Sequence, residues 1–454
     1  MSQAREPWEA PVLEPGTTYA TVTDQIAAIA ITGPHKRGWW MAFAIASGLL
    51  GLLVIAVWVL LAVGVGIWGV NIPVAWGFAI ANFVWWIGIG HAGTFISAFL
   101  LLMRERWRAS INRFAEAMTL FAVSCAGLFP LLHLGRPWFF YWLLPYPNDM
   151  DLWPQWRSPL VWDVFAVSTY LTVSLLFWYQ AVIPDMAALR DRAKSRWLKI
   201  GYGILAFGWR GSAVHWQRFE MAYLMLGGLA TPLVISVHSV VSFDFTIAQL
   251  PGWHSTIFPP YFVAGAIFSG FAMVLTLAIP LRAVYKLHDL VTIRHLENMG
   301  KLLLATGLIV DYSYAMEFFT AYYSGDVVER QMELFRAFGP YAFLFWIVMA
   351  CNVVAPQFLW SKRVRTNVYW LFGLGLVANF GMWIERVMIV ITSLSHDRMP
   401  SSWHLYWPTI WDWMTLFGSV GLFFFLYLLF IRLLPMIAIF EVRELVYETR
   451  KEGA

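Results

Sequence analysis

Charged side chains are scarce in this sequence. Lys, Arg, Asp and Glu make up 13% of its 454 residues, whereas 60% are hydrophobic; an ordinary soluble domain has about 25% charged residues. So few charges cannot cover the surface of a water-soluble protein, and 27 Trp with 35 Phe exceed what one water-facing core would bury. The composition therefore predicts an integral membrane protein and excludes soluble enzymes and disordered chains. A net charge of +4 also excludes a nucleic-acid partner.

Cysteine is nearly absent. Cys125 and Cys351 lie far apart within apolar runs and have no CxxC spacing, so we expect neither a disulfide framework nor an iron–sulfur cluster in this chain. No apolar run holds two well-buried histidines, which makes a bis-histidine haem unexpected, although His91 and His238 stay open as a pair. Any redox metal then belongs to a partner. The polar N-terminus has no short apolar stretch before a cleavage site, so we expect no signal peptide.

Long apolar runs are abundant instead. A bilayer core of about 30 Å needs about 20 apolar residues per helix, and none of the runs alternates with the period of two that a membrane strand requires. The sequence therefore predicts an all-α polytopic membrane protein with ten transmembrane helices. The runs lie near 40–69, 74–103, 114–134, 159–184, 218–241, 258–282, 301–323, 337–360, 367–394 and 411–434.

The basic residues predict the orientation. Of the 31 Lys and Arg, 25 fall in segments on one side of the crossings, five fall on the other side, and Arg386 lies within a run. By the positive-inside rule both termini are expected in the cytoplasm. The chain then divides into a cytoplasmic segment 1–38, a membrane domain 39–434 and a cytoplasmic tail 435–454. The basic, aromatic segment 185–217 is predicted to be an interfacial helix.

A weak internal repeat suggests how the helices group. GHAGTFISAFLLLMR at 90–104 aligns with SGFAMVLTLAIPLR at 269–282, and Ser158-Pro159 and Gly339-Pro340 each open a helix two crossings later. We expect two four-helix bundles in parallel orientation, about 74–241 and about 258–394, with the first and tenth helices at the periphery. The aromatic outer loop 135–158, with its Asp149 and Asp151, is either a docking surface or a plain aromatic belt.

Ionisable residues within the apolar runs are the strongest functional signal. An Asp at the bilayer centre costs about 2.5–3.5 kcal/mol on insertion scales, so such groups mark function by default. Four of them are predicted at one outer level on three consecutive helices: His133, Asp163, His238 and Asp244. For the histidines an interfacial position is the simpler alternative, and Asp244 is equally compatible with a helix cap.

A second group is predicted near the midplane. Asp311 and Glu317 share the seventh helix, while Glu385 and Arg386 share the ninth, with Tyr312, Ser313 and Asn352 as possible companions. They suit either a proton pathway or a structural ion-pair cluster. His91 stands alone in the second helix.

One stretch of sequence resembles a known family. His133-Leu134-Gly135-Arg136-Pro137 is followed, after an aromatic loop, by Ser158-Pro159-Leu160-Val161-Trp162-Asp163. LGRP, about twenty residues and then SP-x-x-W is similar to the signature of the NrfD/polysulfide reductase family of quinone-interacting membrane subunits. Ten helices and ITGPHKRGWW at 31–40 most resemble the C subunit of bacterial alternative complex III, which also has a homologous F subunit. Asp163 stands where many family members have Gly.

The resemblance implies a subunit that binds menaquinol or ubiquinol near its outer face in a bacterial inner membrane and holds no haem or iron–sulfur cluster. Its implied partners are an extracytoplasmic iron–sulfur subunit, c-type cytochrome subunits and a second, homologous membrane subunit. Quinol oxidation needs proton acceptors beside both hydroxyls. We expect Asp163 and His133 to act as acceptors, Asp244 to be a further acceptor, and His238 and Arg136 to complete the pocket.

The rival interpretation is a secondary transporter with a midplane ion or proton site. It would use Asp311, Glu317, Glu385 and Arg386 and would predict a helix broken near the midplane, with Pro232 as the best candidate. Co-purification with iron–sulfur and haem proteins would select the redox interpretation.

Overall fold

The structure is a computed structural model that describes residues 11–31, 37–144 and 155–452. Within these residues it is all-helical and has no strand, and ten helices are long and apolar enough to cross a membrane. The predicted fold class and the number of crossings are confirmed. The crossings are α1 Arg37–Val63, α2 Phe78–Leu102, α3 Asn112–His133, α4 Pro159–Arg192, α5 Ala213–Thr246, α6 Phe258–Val284, α7 Ile293–Tyr323, α8 Ala342–Trp360, α9 Val368–Ser395 and α10 Ile410–Leu433.

Several crossings extend beyond their apolar runs. Helices α4 and α5 have 34 residues each and α7 has 31, because their backbones stay helical into polar surroundings. The segment 185–217 is therefore not one interfacial helix as predicted. It contains the end of α4, a separate helix Arg196–Leu205 and the start of α5. Gly208 and Gly211 have φ of +75° and +68° before α5, and left-handed backbone of this kind ends a helix.

Four shorter helices flank the crossings: Tyr19–Ile31, Arg196–Leu205, Val327–Phe338 and Ile439–Glu452. The first, second and fourth lie at the end of the molecule that carries most Lys and Arg, and we call this end the basic face. Helix Val327–Phe338 lies at the opposite face, between α7 and α8.

The crossings pack in two groups. Helices α2, α3, α4 and α5 contact one another in a ring, and so do α6, α7, α8 and α9. The groups meet where α6 packs against α2 and α5 and where α9 packs against α2. Helix α10 packs on α1 and α3. Most side chains of α2, α6 and α9 are buried, so these three helices form the centre of the molecule.

Small residues permit the close approach of α2 and α6. A Cβ atom added to Gly270 would lie 1.8 Å from the Cβ of Ala92, a distance that no real structure tolerates. Gly270 and Ala92 belong to the two segments related by the internal repeat, so the repeated pattern lies at the contact between the groups. Close backbone contact through small residues is the usual basis of helix association in membranes.

Helix α8 is irregular and α5 is not. Residues Met349–Val354 of α8 form a π-helical turn that contains the buried Asn352. Helix α5 continues through Pro232. The break that the transporter interpretation predicts at Pro232 is therefore absent from α5. The irregular turn lies in α8, the crossing that comes before the one that carries Glu385.

Candidate functional site

Two carboxyl groups meet at the face opposite the basic one. Asp163 lies one turn into α4, and Asp244 lies in the last turn of α5. Their side chains are close enough to interact electrostatically, and Asp163 is only 7% exposed. The Oδ1 atoms of both residues are buried without a hydrogen-bond partner. Two neighbouring carboxylates repel each other, which favours proton uptake, so the pair can accept a proton from a bound molecule.

Local structure positions this acid pair. Pro159 occupies the first turn of α4, where its missing N–H costs nothing. The indole of Trp162 donates a hydrogen bond of 2.6 Å to the carbonyl of Trp156, which fixes the loop before α4. The Trp162 ring also meets Phe243 edge-on at 6.4 Å, which holds the ends of α4 and α5 together. The SP-x-x-W-D sequence therefore builds the start of α4 and places its acid against α5.

His133 and Arg136 lie at the same face but outside the acid pair. His133 is the last residue of α3 and is half-buried; its Nδ1 is buried without a hydrogen-bond partner, and it makes no hydrogen bond to either carboxyl group. Gly135, with φ of +70°, turns the chain into the helical turn Pro137–Leu143, and Arg136 is exposed.

The same loop exposes several aromatic rings, including Trp138, Phe140 and Trp142. Asp149 and Asp151, which the sequence placed in this loop, lie outside the described residues. So do Arg5 and Lys36 of the N-terminal segment.

His238 lies deeper than the sequence suggested. It is 1% exposed, and its Nδ1 lies 2.9 Å from Nδ1 of His91. The sequence grouped His238 with the outer acids and left His91 alone; the structure pairs the two histidines, because α2 and α5 pack together at this level. Their contact is a direct hydrogen bond.

Glu385 and Arg386 form part of a buried cluster between α7, α8 and α9. Glu385 is fully buried, pairs with Nη1 of Arg386 at 3.0 Å and accepts hydrogen bonds from Tyr314 and, at 3.1 Å, from Asn352. The Arg386 guanidinium lies 4.1 Å from the ring centre of Phe262, which places it between this cluster and His238. Asn352 joins the cluster as the sequence suggested.

Asp311 and its neighbours stand apart from that cluster. Asp311 is half-buried and accepts a hydrogen bond of 2.8 Å from Gln357. Tyr312 is 59% exposed, and the hydroxyl of Ser313 bonds to the carbonyl of Ile309. Tyr312 and Ser313 were predicted to join the cluster, but Tyr314 joins it instead. The side of α7 that faces α9 carries Tyr314, and a residue count along the helix does not reveal which side that is.

Glu317 pairs with an arginine that the sequence missed. Arg336 is 2% exposed and donates to Glu317 at 2.6 Å and to Glu333 at 3.0 Å. Its other nitrogen donates to the carbonyl of Gly252 at 2.9 Å. The sequence counted Arg336 among outer-loop residues. The signal that could have found it is Asp326, an N-cap residue, followed by an amphipathic stretch with Glu333 and Arg336 three residues apart.

Among the residues that the structure describes, no group of three or more His, Cys, Asp or Glu is arranged to hold a metal ion. The buried ionisable groups described above form pairs and clusters between helices.

The sequence comparisons identify the class of protein that these helices form. Residues 66–396 match the family model described as "Polysulphide reductase, NrfD". The match covers more than half of the chain, so the chain belongs to the NrfD/polysulfide reductase family, as its LGRP and SP-x-x-W motifs indicated.

Three individual proteins are similar in sequence to this chain. The C subunit of selenate reductase from Mesobacillus selenatarsenatis is 23% identical over 90% of this chain and 96% of its own length. The "Hdr-like menaquinol oxidoreductase integral membrane subunit" of Archaeoglobus fulgidus is 20% identical over 84% of this chain and 90% of its own length. The membrane C subunit of a putative dimethyl sulfoxide reductase from Halobacterium salinarum is 26% identical over 54% of this chain, which matches about half of that relative.

Proposed function

We propose that this chain is the quinol-binding and quinol-oxidising membrane subunit of an electron-transfer complex. The observation that carries the proposal is the buried Asp163–Asp244 pair at one face of an NrfD-family domain. A relative named as a menaquinol oxidoreductase subunit supports a quinol as the substrate, with menaquinol or ubiquinol as the candidates. Intramembrane acids of this kind are costly and mark functional sites.

The chemistry assigns a role to each side chain. Oxidation of a quinol releases two protons and two electrons, and a base within hydrogen-bonding reach of each hydroxyl speeds proton removal by about 10²–10⁴-fold. In the proposal Asp163 and His133 accept the two protons, Asp244 shares or passes on the proton of Asp163, and Arg136 and His238 support the pocket. The electrons leave to an iron–sulfur subunit outside the cytoplasm and then to c-type cytochromes.

The proposal also assigns the type of subunit, the membrane and the orientation of the chain in it. In this proposal the chain is a counterpart of the C subunit of alternative complex III, beside a second, homologous membrane subunit, in a bacterial inner membrane. Both termini then lie in the cytoplasm, with the basic face inward and the acid pair outward. Cysteine labelling of 361–366 in intact cells tests this orientation, and strong labelling from outside would overturn it.

Proton translocation is the further part of the proposal. Glu385, Arg386 and Glu317 form a graded set of buried charges between the centre and the face of the acid pair, with Asp311 as a side branch. Tyr314, which donates a hydrogen bond to Glu385, lies one helix turn from Glu317 on α7, and this supports the use of the two acids as neighbouring stations of a relay.

The test uses the intact complex purified through a tag on this chain. Asp163→Asn and His133→Ala should each lower quinol oxidation at least about tenfold. Asp326→Asn is the matched control, since it changes an acid at the same face but keeps a residue that caps a helix. Normal turnover in both site variants, with the other proteins of the complex still present, would remove them from the site. A solitary protein that shows substrate counterflow and no redox partners would instead select the transporter.

A further inference from the structure

A line of buried polar side chains runs through the group formed by α2 to α5. His91, Thr94 and Ser97 follow one another at three-residue spacing on α2, and each is at most 1% exposed. Residues three apart lie on one face of a helix, about 4.5 Å from turn to turn. Polar residues in an otherwise apolar helix therefore form a continuous stripe from the middle of α2 towards the basic face.

Two acids and a tyrosine form the end of this stripe at the basic face. Ser97 donates a hydrogen bond of 2.6 Å to Glu116 of α3, and the hydroxyl of Tyr223 lies 3.2 Å from both Glu116 and Glu441. Glu441 also pairs with Arg108 at 3.1 Å. Glu116 is 1% exposed and keeps Oε2 without a hydrogen-bond partner.

This end reaches the surface through a cavity of about 460 Å³. Tyr223, Glu441 and Arg108 line it together with the exposed Glu220 and Arg104. A proton from the solution at the basic face therefore meets Glu441 and Tyr223 before it meets the buried Glu116.

Hydroxyl groups continue this line of polar side chains one helix turn further from the basic face. Thr94 donates to Ser174 at 3.0 Å and lies 3.3 Å from Thr119, which is one turn along α3 from Glu116. The hydroxyls of Thr119 and Tyr170 both donate to the carbonyl of Gly90 at 2.7 Å. A hydroxyl both donates and accepts, so a chain of hydroxyls can pass a proton without any net change.

The histidine pair ends the line at the middle of the helices. The ring of Tyr170 lies 4.3 Å from that of His91, which bonds directly to His238. The Nε2 atoms of both histidines are buried without hydrogen-bond partners. In the neutral pair one Nδ1 donates and the other accepts, so one ring has a bare Nε2 that can take a proton and the other has an Nε2–H that can give one. His238 is six residues, or about 9 Å, from Asp244 along α5.

We propose that Glu441, Tyr223, Glu116, Ser97, Thr119, Thr94, Tyr170, His91 and His238, which we call the polar line, form a proton route between the basic face and the level of the acid pair. The inference rests on the proposed quinol oxidation, which supplies the turnover that moves protons. Direct hydrogen bonds join Glu441, Tyr223, Glu116 and Ser97, then Thr119 and Thr94, and finally His91 and His238. Between these sets the proton passes across one helix turn and across the ring contact of Tyr170 with His91. No electron is exchanged. The route lies in α2 to α5 and is separate from the cluster around Glu385.

A purely structural role for the same residues makes a different prediction. Buried hydroxyls and acids also hold membrane helices together through hydrogen bonds. A structural role would change the yield or the melting temperature of the complex when a residue is replaced. It would not change the number of protons exchanged at the basic face for each electron transferred.

The experiment measures that ratio. The intact complex, tagged at the C-terminus of this chain, is reconstituted in vesicles with a pH-sensitive dye on one side. Helix Ile439–Glu452 lies at the basic face, so protease removal of the tag reports which complexes face the dye. Quinol oxidation is then started, and protons exchanged at the basic face are counted per electron.

Glu116→Gln and Thr94→Val should each remove most of the proton exchange at the basic face and so lower the ratio towards zero. Two matched controls should leave it unchanged. Glu297→Gln alters a buried acid at the basic end of α7, outside the polar line, and Ser124→Ala removes an exposed α3 hydroxyl that bonds only to its own helix. Thr94→Val replaces one uncharged side chain with another. It therefore keeps the test valid if Glu116→Gln lowers assembly by removing a carboxylate beside Arg113, which also pairs with Asp185.

Three outcomes would overturn the inference, and they differ from one another. An unchanged ratio in both variants, with normal quinol oxidation and assembly, rejects the polar line alone. A wild-type complex that oxidises quinol without exchanging protons at the basic face rejects it as well. A wild-type complex that does not oxidise quinol rejects the proposed function, and the proton route with it.

Discussion

Arg336 donates a hydrogen bond of 2.6 Å to Glu317, and this contact joins helix Val327–Phe338 to α7. The same guanidinium pairs with Glu333 and bonds to the carbonyl of Gly252. One arginine therefore pairs with two carboxyl groups and ties the loop after α5 to the seventh crossing. The outer end of the second helix group depends on this one side chain.

Replacement of Arg336 should be strongly destabilising. Arg336→Gln leaves Glu317 and Glu333 buried without their counter-charge, and removal of one partner of a buried ion pair costs about 3–5 kcal/mol. We expect a lower melting temperature and a lower yield of the complex. Arg330→Gln, an exposed position on the same helix, is the control and should change little. Equal melting temperatures for the two variants would show that the cluster contributes no stability.

Glu333 should make stability depend on pH near neutrality. Burial raises the pKa of this carboxyl from 4.5 to about 7; Arg336 opposes the shift, while the charges of Glu317 and Glu329 add to it. Between these pH values the folded protein binds more protons than the unfolded chain, so this contribution to stability is lost as the pH rises through about 7.

Thermal unfolding from pH 5 to 8 checks this dependence. The melting temperature of the wild type should fall more over that range than that of Glu333→Gln, which cannot titrate. Parallel curves for the two proteins would show that Glu333 is ionised throughout and would contradict the shift.

Gly270→Ala should weaken the contact between the two helix groups. The added methyl would overlap Ala92 at 1.8 Å, and overpacking of this kind costs about 1–3 kcal/mol. Gly228→Ala is the matched control, because a Cβ there meets nothing within 4 Å and loss of a glycine stabilises a helix by about 0.4–1 kcal/mol. Differential scanning fluorimetry in detergent measures both. A variant at 270 as stable as the control would mean that α2 and α6 lie further apart than in this structure.

Glu385→Gln tests whether the central cluster is a relay or a structural ion pair. Under the relay, proton translocation in vesicles is lost while quinol oxidation and assembly persist, and Asp311→Asn behaves in the same way. Under the structural alternative, the loss of charge leaves Arg386 unpaired beside Phe262 and lowers the melting temperature. An unaltered proton-to-electron ratio in both variants would end the relay.

The sequence predicts the crossings well because apolar length alone decides them. Ten runs of about 20 residues became ten helices, and the LGRP and SP-x-x-W motifs indicated the family that the comparison found. Helix ends were less predictable, since α4 and α5 stay helical into polar surroundings where hydropathy carries no signal.

The pairing of ionisable residues was only partly predictable. The depth of a residue in the membrane follows from its count along the helix. This count placed Asp163 and Asp244 at the same depth. Rotation about the helix axis depends on tertiary packing, so the sequence did not reveal that His238 meets His91 or that Tyr314 meets Glu385. The polar line was missed for the same reason, because its hydroxyls are individually ordinary in a membrane helix.

Locating the bound quinone would test the proposed site without relying on turnover. A photoreactive quinone analogue is added to the intact complex, irradiated, and mapped on this chain by mass spectrometry, with excess quinol as the competitor. We predict competable labelling at the ends of α3, α4 and α5, around His133, Asp163 and Asp244, and its loss in Asp163→Asn. Competable labelling around Glu385, or none on this chain, would contradict the quinol site at the acid pair.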